Sequence, residues 1–196
     1  MHVDGLRGTL AQTDQSDGTL NKQMADGQNQ RLARKLSGKT LSYVTASDDQ
    51  YFDGVIDIAR DVHAETHWGH IPFCRDKATA LLRKAIEANN VSLIVATDKG
   101  TPMGFLYGSL GEYLVGLDNK LLTIQAIAIR REARSKLLGG RIALGLMSCA
   151  FAWGRQNNAD EVILSVTSGL DMARTNQLLV RKFGFRQIGG NYARRL

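Results

Sequence analysis

The sequence predicts a mixed α/β fold: one twisted sheet with helices on both faces. Two observations carry this. Strand-like and helix-like hydrophobic patterns follow one another in the order β-α-α-β-β-β-α-β-α-β from residue 41 onward. The apolar run Leu121–Ile129 suits a central strand covered on both sides. The early strands are expected to run antiparallel, whereas the late strand-helix-strand passage is a right-handed parallel crossover.

Leu41–Ala46 alternates as a short strand. Ser47 is expected to cap a helix in which Phe52, Val55, Ile56, Ala59 and Val62 recur at helical spacing. His63–His70 (HAETHWGH) reads as a polar, aromatic loop. A second helix spans about Lys77–Ala88, with Leu81, Leu82, Ala85 and Ile86 on one face. Val91–Thr97 and Met103–Leu110 flank the turn signal Asp98-Lys99-Gly100 and form a hairpin. After a loop at Gly111–Asn119 comes the central strand. A helix is expected from about Gly140 to Gln156, burying Ile142, Leu146, Ala150 and Trp153. Val162–Val166 is a buried strand, Asp171–Phe183 a last helix and Gln187–Ala193 a final strand.

Residues 1–40 are different. They hold no Phe, Trp or Tyr, five Gly and five Gln, and six Lys or Arg against four Asp. Such a stretch buries too little apolar surface to fold alone. It is expected to be a flexible or partner-bound N-terminal arm, with one short helix around Gln28–Leu36, preceding a domain at 41–196.

The chain has 196 residues, 43% hydrophobic and 22% charged, which excludes wholesale disorder. No uninterrupted apolar run reaches the ~18–20 residues of a membrane span, and the first thirty residues lack the apolar core of a signal peptide. Cys74 and Cys149, the only cysteines, make no disulfide framework and no metal-ligand spacing. A reducing, cytoplasmic compartment is expected, no metal and no membrane. The net charge of +6 suggests an anionic or phosphorylated partner. Nucleic acid is disfavoured, because no basic strand carries interleaved aromatic residues.

The charge is concentrated where chemistry is expected. Ile127-Ala128-Ile129 runs into Arg130, Arg131, Glu132, Ala133, Arg134, Ser135, Lys136, Leu137, Leu138, Gly139, Gly140 and Arg141, and then into a helix. A strand feeding a glycine-containing loop and a helix N-terminus is an anion cradle, with unpaired N–H groups and the positive end of the helix dipole. Gly139 and Gly140 would admit a ligand close to the backbone, and Arg134, Lys136 and Arg141 would add charge. Tight helix–sheet packing is the other use of Gly-Gly at a helix start.

This run resembles motif A of the GCN5-related N-acetyltransferases, the GNAT family, whose core there is Q/R-x-x-G-x-G/A. Ile127-Ala128-Ile129 matches the strand triplet, and Arg134, Lys136 and Gly139 match in register. Phe183-Gly184-Phe185 resembles the family's L-G-F, and the hairpin Val95–Gly100 with Gly104-Phe105 resembles its second and third strands. The resemblance covers about Leu41–Leu196. It implies a sheet of the acyl-CoA N-acyltransferase type, acetyl-CoA as co-substrate and an amine as acceptor. It further implies that the backbone of residues 134–141 holds the pyrophosphate, that the edge of Ile127–Ile129 pairs with pantetheine, and that Asn176 contacts coenzyme A. The chemistry implied is direct acyl transfer.

The sequence departs from the family at three places. Leu137 stands for the first motif glycine, and Ser135 replaces another. Val180 stands where many members carry a tyrosine acid. Thr123 and Gln125 occupy the positions of the usual base. The catalytic residues are thus unknown from sequence, with Glu112 and His67 as the candidates; for each, a solvated loop residue is the competing reading. Two functions from different classes remain. One is an acetyl-CoA-dependent N-acetyltransferase acting on a small molecule or protein. The other is a catalytically degenerate module of the same fold, anchored by its arm in a larger assembly such as a phage particle.

Overall fold

The computed structural model describes residues 41–135, 137–166 and 172–189, with the backbone alone for 172–174. The elements in chain order are β1 (Leu41–Thr45), α1 (Phe52–Glu65), α2 (Arg75–Glu87), β2 (Val91–Asp98), β3 (Thr101–Glu112), β4 (Lys120–Ile129), α3 (Arg131–Arg134), α4 (Leu137–Gln156), β5 (Glu161–Leu164) and α5 (Met172–Phe183). The five strands form one sheet in the order β1-β2-β3-β4-β5. The first three pairings are antiparallel, and β4–β5 is parallel, as the crossover through α4 requires.

Side-chain alternation divides the core into two layers. On one face Ile94, Ala96, Leu106, Leu122 and Ile124 meet Ile142, Leu146, Met147 and Ala150 of α4. On the other, Leu93, Val95, Phe105 and Tyr107 meet Val55 and Ile58 of α1 and Leu82 and Ala85 of α2. Leu122, Ile142, Leu146 and Ala150 are fully buried. Each large side chain among them contributes about 1.5–3 kcal/mol through removal from water. The turn between β2 and β3 has Lys99 at φ 50° and Gly100 at φ 84°, which suits the right-handed twist of a two-residue hairpin.

By length and composition α4 could cross a membrane, with a mean hydropathy of 1.4 over its most apolar window. Half of that window is buried against the sheet, so its apolar surface serves the core.

One irregularity matters for the site. Tyr107 pairs with Ala126 and Gly108 with Ile124, so Gln125 is an extra residue in β4, a β-bulge. Leu122 and Ile124 belong to the α4 layer, Ala128 to the α1/α2 layer, and Ile127 and Ile129 pack again on the α4 side.

Several expectations are corrected. Ser47 caps nothing: the chain makes a further turn, with Gln50 N–H donating to the Asp48 carboxylate (3.1 Å) and Phe52 N–H to the Asp49 carbonyl (2.9 Å), so α1 starts after Tyr51. The helix expected from Gly140 begins three residues earlier, at Leu137, because Gly139 and Gly140 stay within its first turn. The fifth strand is Glu161–Leu164 rather than Val162–Val166. No strand forms over residues 187–189; residues 190–193 lie outside the described residues, as do the expected arm at 1–40 and its short helix.

Candidate functional site

The site is built where the sheet opens. The β4–β5 ladder runs from Leu121↔Glu161 to Ile124↔Leu164 and ends there, whereas β4 continues to Ile129. The segment Gln125–Ile129 therefore extends past its pairing with β5, at the C-terminal end of a parallel strand. That is where open α/β sheets place their ligands. The bulge at Gln125 coincides with the end of the ladder.

The chain after Ile129 is more structured than the expected loop. Arg130 N–H donates to the Met103 carbonyl (2.8 Å), and its guanidinium donates to the Pro102 carbonyl (3.1 Å), fastening the end of β4 to β3. Residues 131–134 form the short helix α3, and Ser135 follows as a turn. Then α4 starts at Leu137. The first four N–H groups of a helix have no partner within it, and here they lie next to the opened strand. Leu137 is 91% exposed. Gly140 and Arg141 are also exposed, and a Cβ built on Gly140 meets nothing within 4 Å. The backbone of this first turn is thus accessible to an anion on the side of Gly140.

Two of the expected roles change. Gly139 is buried, and a Cβ there would lie 2.5 Å from the Ala133 carbonyl oxygen and 2.9 Å from the Arg134 Cα. Its glycine serves the close approach of α4 to α3, not the approach of a ligand. Arg134 is not a free cation beside the cradle. Its Nε donates to the Ile129 carbonyl (2.6 Å), and its Nη1 is ion-paired with the Glu65 carboxylate at the end of α1. The two side chains are only 22% and 29% exposed, so the pair is weakly screened. Arg134 thereby joins α1, α3 and the end of β4. Glu65 carried no local signal in the sequence: it lies 69 residues away, in a helix where any exposed carboxylate looks alike. Of the other basic residues, Arg131 and Arg141 are exposed, and Lys136 lies outside the described residues.

The catalytic candidates are placed as follows. Glu112 ends β3 and pairs with Lys120, the first residue of β4. Ile127 is seven positions further along, about 23 Å at the rise of a strand. Glu112 therefore sits at the wrong end of the sheet, and the expectation that it reaches the cleft is corrected. His67 is exposed in the loop after α1; its carbonyl accepts from His70 Nδ1 (3.1 Å), and its ring lies against Trp68. His63 Nε2 is 2.7 Å from the Ile71 carbonyl, so this histidine-rich segment is folded by its own backbone contacts. Asn176 is exposed on α5.

A set of polar residues gathers at the bulge, and only Thr123 and Gln125 of it carry a signal in the sequence. Gln125 Nε2 donates to the Ser109 hydroxyl (3.1 Å), Ser109 pairs with Thr123, and Tyr107 pairs with Ala126. Tyr107 belongs to the α1/α2 layer, which places Ser109, two residues on, on the same face. Tyr107 is 7% exposed, and burial raises its phenol above the usual value. Cys149 is half-buried in the α4 layer, and burial pushes its thiol to about 11, which makes it a poor nucleophile.

No family model matches the sequence, and no curated protein sequence matches it. Solved structures match with confidence. The aminoglycoside N-acetyltransferase AAC(6')-Iy in complex with CoA has 15% identity and a TM-score of 0.58, covering 82% of this chain and 97% of its own. The aminoglycoside acetyltransferase meta-AAC0020, from an uncultured soil metagenomic sample and in complex with sisomicin, has 16% identity and a TM-score of 0.58, covering 80% and 97%. A GNAT family acetyltransferase from Staphylococcus aureus has 12% identity and a TM-score of 0.53, covering 80% and 99%. The fold of this chain is the fold of these acetyltransferases.

Proposed function

We propose that the chain is an acetyl-CoA-dependent N-acetyltransferase that acetylates an amine of a small molecule or protein. One observation carries the reading: β4 outruns its ladder with β5 by the segment Gln125–Ile129, and after the short helix α3 comes the first turn of α4, exposed at Leu137 and Gly140. The AAC(6')-Iy structure with CoA supports it by likeness of fold. The residues present fit such a ligand. The Gln125–Ile129 segment would hold the pantetheine arm. The N–H groups of Leu137–Gly140 would hold the pyrophosphate, with Arg131 and Arg141 adding charge. Leu137 in place of glycine is tolerated, because its side chain points into solvent and leaves the turn open. When bound, acetyl-CoA supplies an activated thioester. The chain's own part is to hold that group against the end of β4 and present the acceptor from the α1/α2 face. Thr123 and Gln125 offer hydrogen bonds, not a carboxylate base, so the ammonium proton leaves to water.

The test is a thermal-shift titration with acetyl-CoA, followed by free-thiol release with a panel of primary amines. A saturable shift and amine-dependent thiol release are expected. No shift at millimolar acetyl-CoA would overturn the reading. It would favour the second one, a degenerate module anchored by residues 1–40 in a larger assembly. The specific observation on that side is Arg134, whose charge is already spent on Glu65.

A further inference from the structure

The polar floor at the bulge supports a step beyond the acetyl-CoA reading, on which it rests. We propose that the Tyr107 hydroxyl is the acceptor-binding contact of this enzyme, accepting a hydrogen bond from the amine beside the Ser109–Gln125 pair. Four observations lead there. Tyr107 stands opposite Ala126, adjacent to the bulge at Gln125, where β4 leaves β5. Its ring is packed in the α1/α2 layer and fixed in place. Its hydroxyl makes no hydrogen bond among the described residues, a rare condition for a tyrosine whose ring is buried. Among the described residues, the polar side-chain atoms sealed from solvent without a partner are Ser92 Oγ, Asp98 Oδ1 and Arg134 Nη2, so the Tyr107 oxygen still reaches solvent.

A buried ring with an unpartnered but accessible hydroxyl is a preorganised contact: its ordering entropy is already lost when a ligand arrives. Burial also keeps the phenol protonated at neutral pH, so it acts as a hydrogen-bonding group and not as a base. Its neighbours define the ligand class. Ser109, Thr123 and Gln125 are neutral donors and acceptors. The floor therefore suits an amine on a neutral, polar molecule better than a polycation.

The test compares Tyr107→Phe with the unmodified full-length chain, using acetyl-CoA and a panel of hydroxylated monoamines, polyamines and an aminoglycoside. The variant is expected to keep its melting temperature and its acetyl-CoA affinity, and to raise KM for the best amine about tenfold, the worth of one lost hydrogen bond. The hydroxylated monoamines should outrun the polycations. A melting temperature that falls with KM unchanged would show a structural tyrosine and overturn the role. Equal KM in both proteins would do the same, as would acetyl-CoA binding without transfer to any amine of the panel. Polycations as the best acceptors would overturn the ligand class. A wild-type chain that shows no acetyl-CoA shift would instead defeat the cofactor reading beneath it.

Discussion

The hydroxyl of Tyr43 donates a 2.8 Å hydrogen bond to the carbonyl of Arg141, tying the edge strand β1 to the first turns of α4. The same ring fills the space beside Gly145, where a Cβ would come within 2.0 Å of it. The ring cannot swing away without breaking its hydrogen bond and leaving the core. Gly145→Ala is therefore expected to destabilise the fold by about 1–3 kcal/mol, as overpacking does. Tyr43→Phe should cost about 1 kcal/mol. Urea denaturation measures both; a Gly145→Ala protein as stable as the parent would show that the contact is loose.

Alkaline pH should weaken the fold through two groups. Burial, and secondarily the nearby Cys149, hold the Tyr43 phenol at about 12 against an opposing pull from Arg141. Burial holds the Cys149 thiol at about 11. Both values lie above those of the unfolded chain, 10.0 and 9.0. The folded state thus favours the protonated forms. Stability is whole below pH 9 and declines between pH 9 and 12, by about 1.4 kcal/mol per pH unit for each group over its own interval. Urea midpoints at pH 8 and pH 11 should show the fall, and Tyr43→Phe should make it shallower. At pH 8 a thiol reagent should label the exposed Cys74 and spare Cys149 until the chain unfolds.

Two ion pairs should separate by burial. Glu65→Gln leaves the Arg134 guanidinium without its counter-charge in a partly closed setting, and a loss of about 2–3 kcal/mol is expected. Asp53→Asn breaks the Arg75 pair, whose side chains are 55% and 89% exposed, and should cost under about 1 kcal/mol. Comparable losses in the two variants would refute the structural role given to Arg134.

The anion cradle can be tested without disturbing the fold. Gly140→Asp adds a carboxylate where the structure leaves open space. It should weaken acetyl-CoA binding at least tenfold in a calorimetric titration while the melting temperature stays put. Leu137→Gly should leave affinity unchanged, since the leucine side chain faces solvent. Gly139→Asp is a poorer probe: it would drive a side chain into the Ala133 carbonyl and unfold the turn first.

Removal of residues 1–40 should leave the melting temperature within a few degrees, because that composition offers little to a core. A large fall would make the arm part of the domain.

The layered core was legible because it rests on periodicity. Ile142, Leu146 and Ala150 recur at helical spacing, and Leu93–Ala96 supplies both faces of β2. The turn at Lys99-Gly100 was legible for its chemistry. The site was read less well, for reasons of range. Arg134 looked like a ligand-binding cation because its partner, Glu65, is distant in sequence and close only in the fold. Gly139 looked like a ligand contact because the carbonyl it must clear belongs to a helix, α3, too short to announce itself. Glu112 is excluded by the antiparallel pairing of β3 with β4, which puts the end of β3 beside the start of β4 and not beside Ile129.

The bulge in β4 has a consequence for which changes of length the chain tolerates. Without Gln125 the strand would read Leu122, Thr123, Ile124, Ala126, Ile127, Ala128, Ile129, an unbroken alternation, and Tyr107 and Gly108 already face Ala126 and Ile124 consecutively. Deleting Thr123, Ile124, Ile127 or Ala128 would throw side chains onto the opposite layer, and deleting Ala126 would put the polar Gln125 in its core position. Deleting Gln125 alone would regularise the sheet and leave every core residue on its side. The packing does not require this residue, and a shorter gene would encode the same scaffold. A chain lacking Gln125 is therefore expected to keep its melting temperature while the bulge at the end of the β4–β5 ladder disappears.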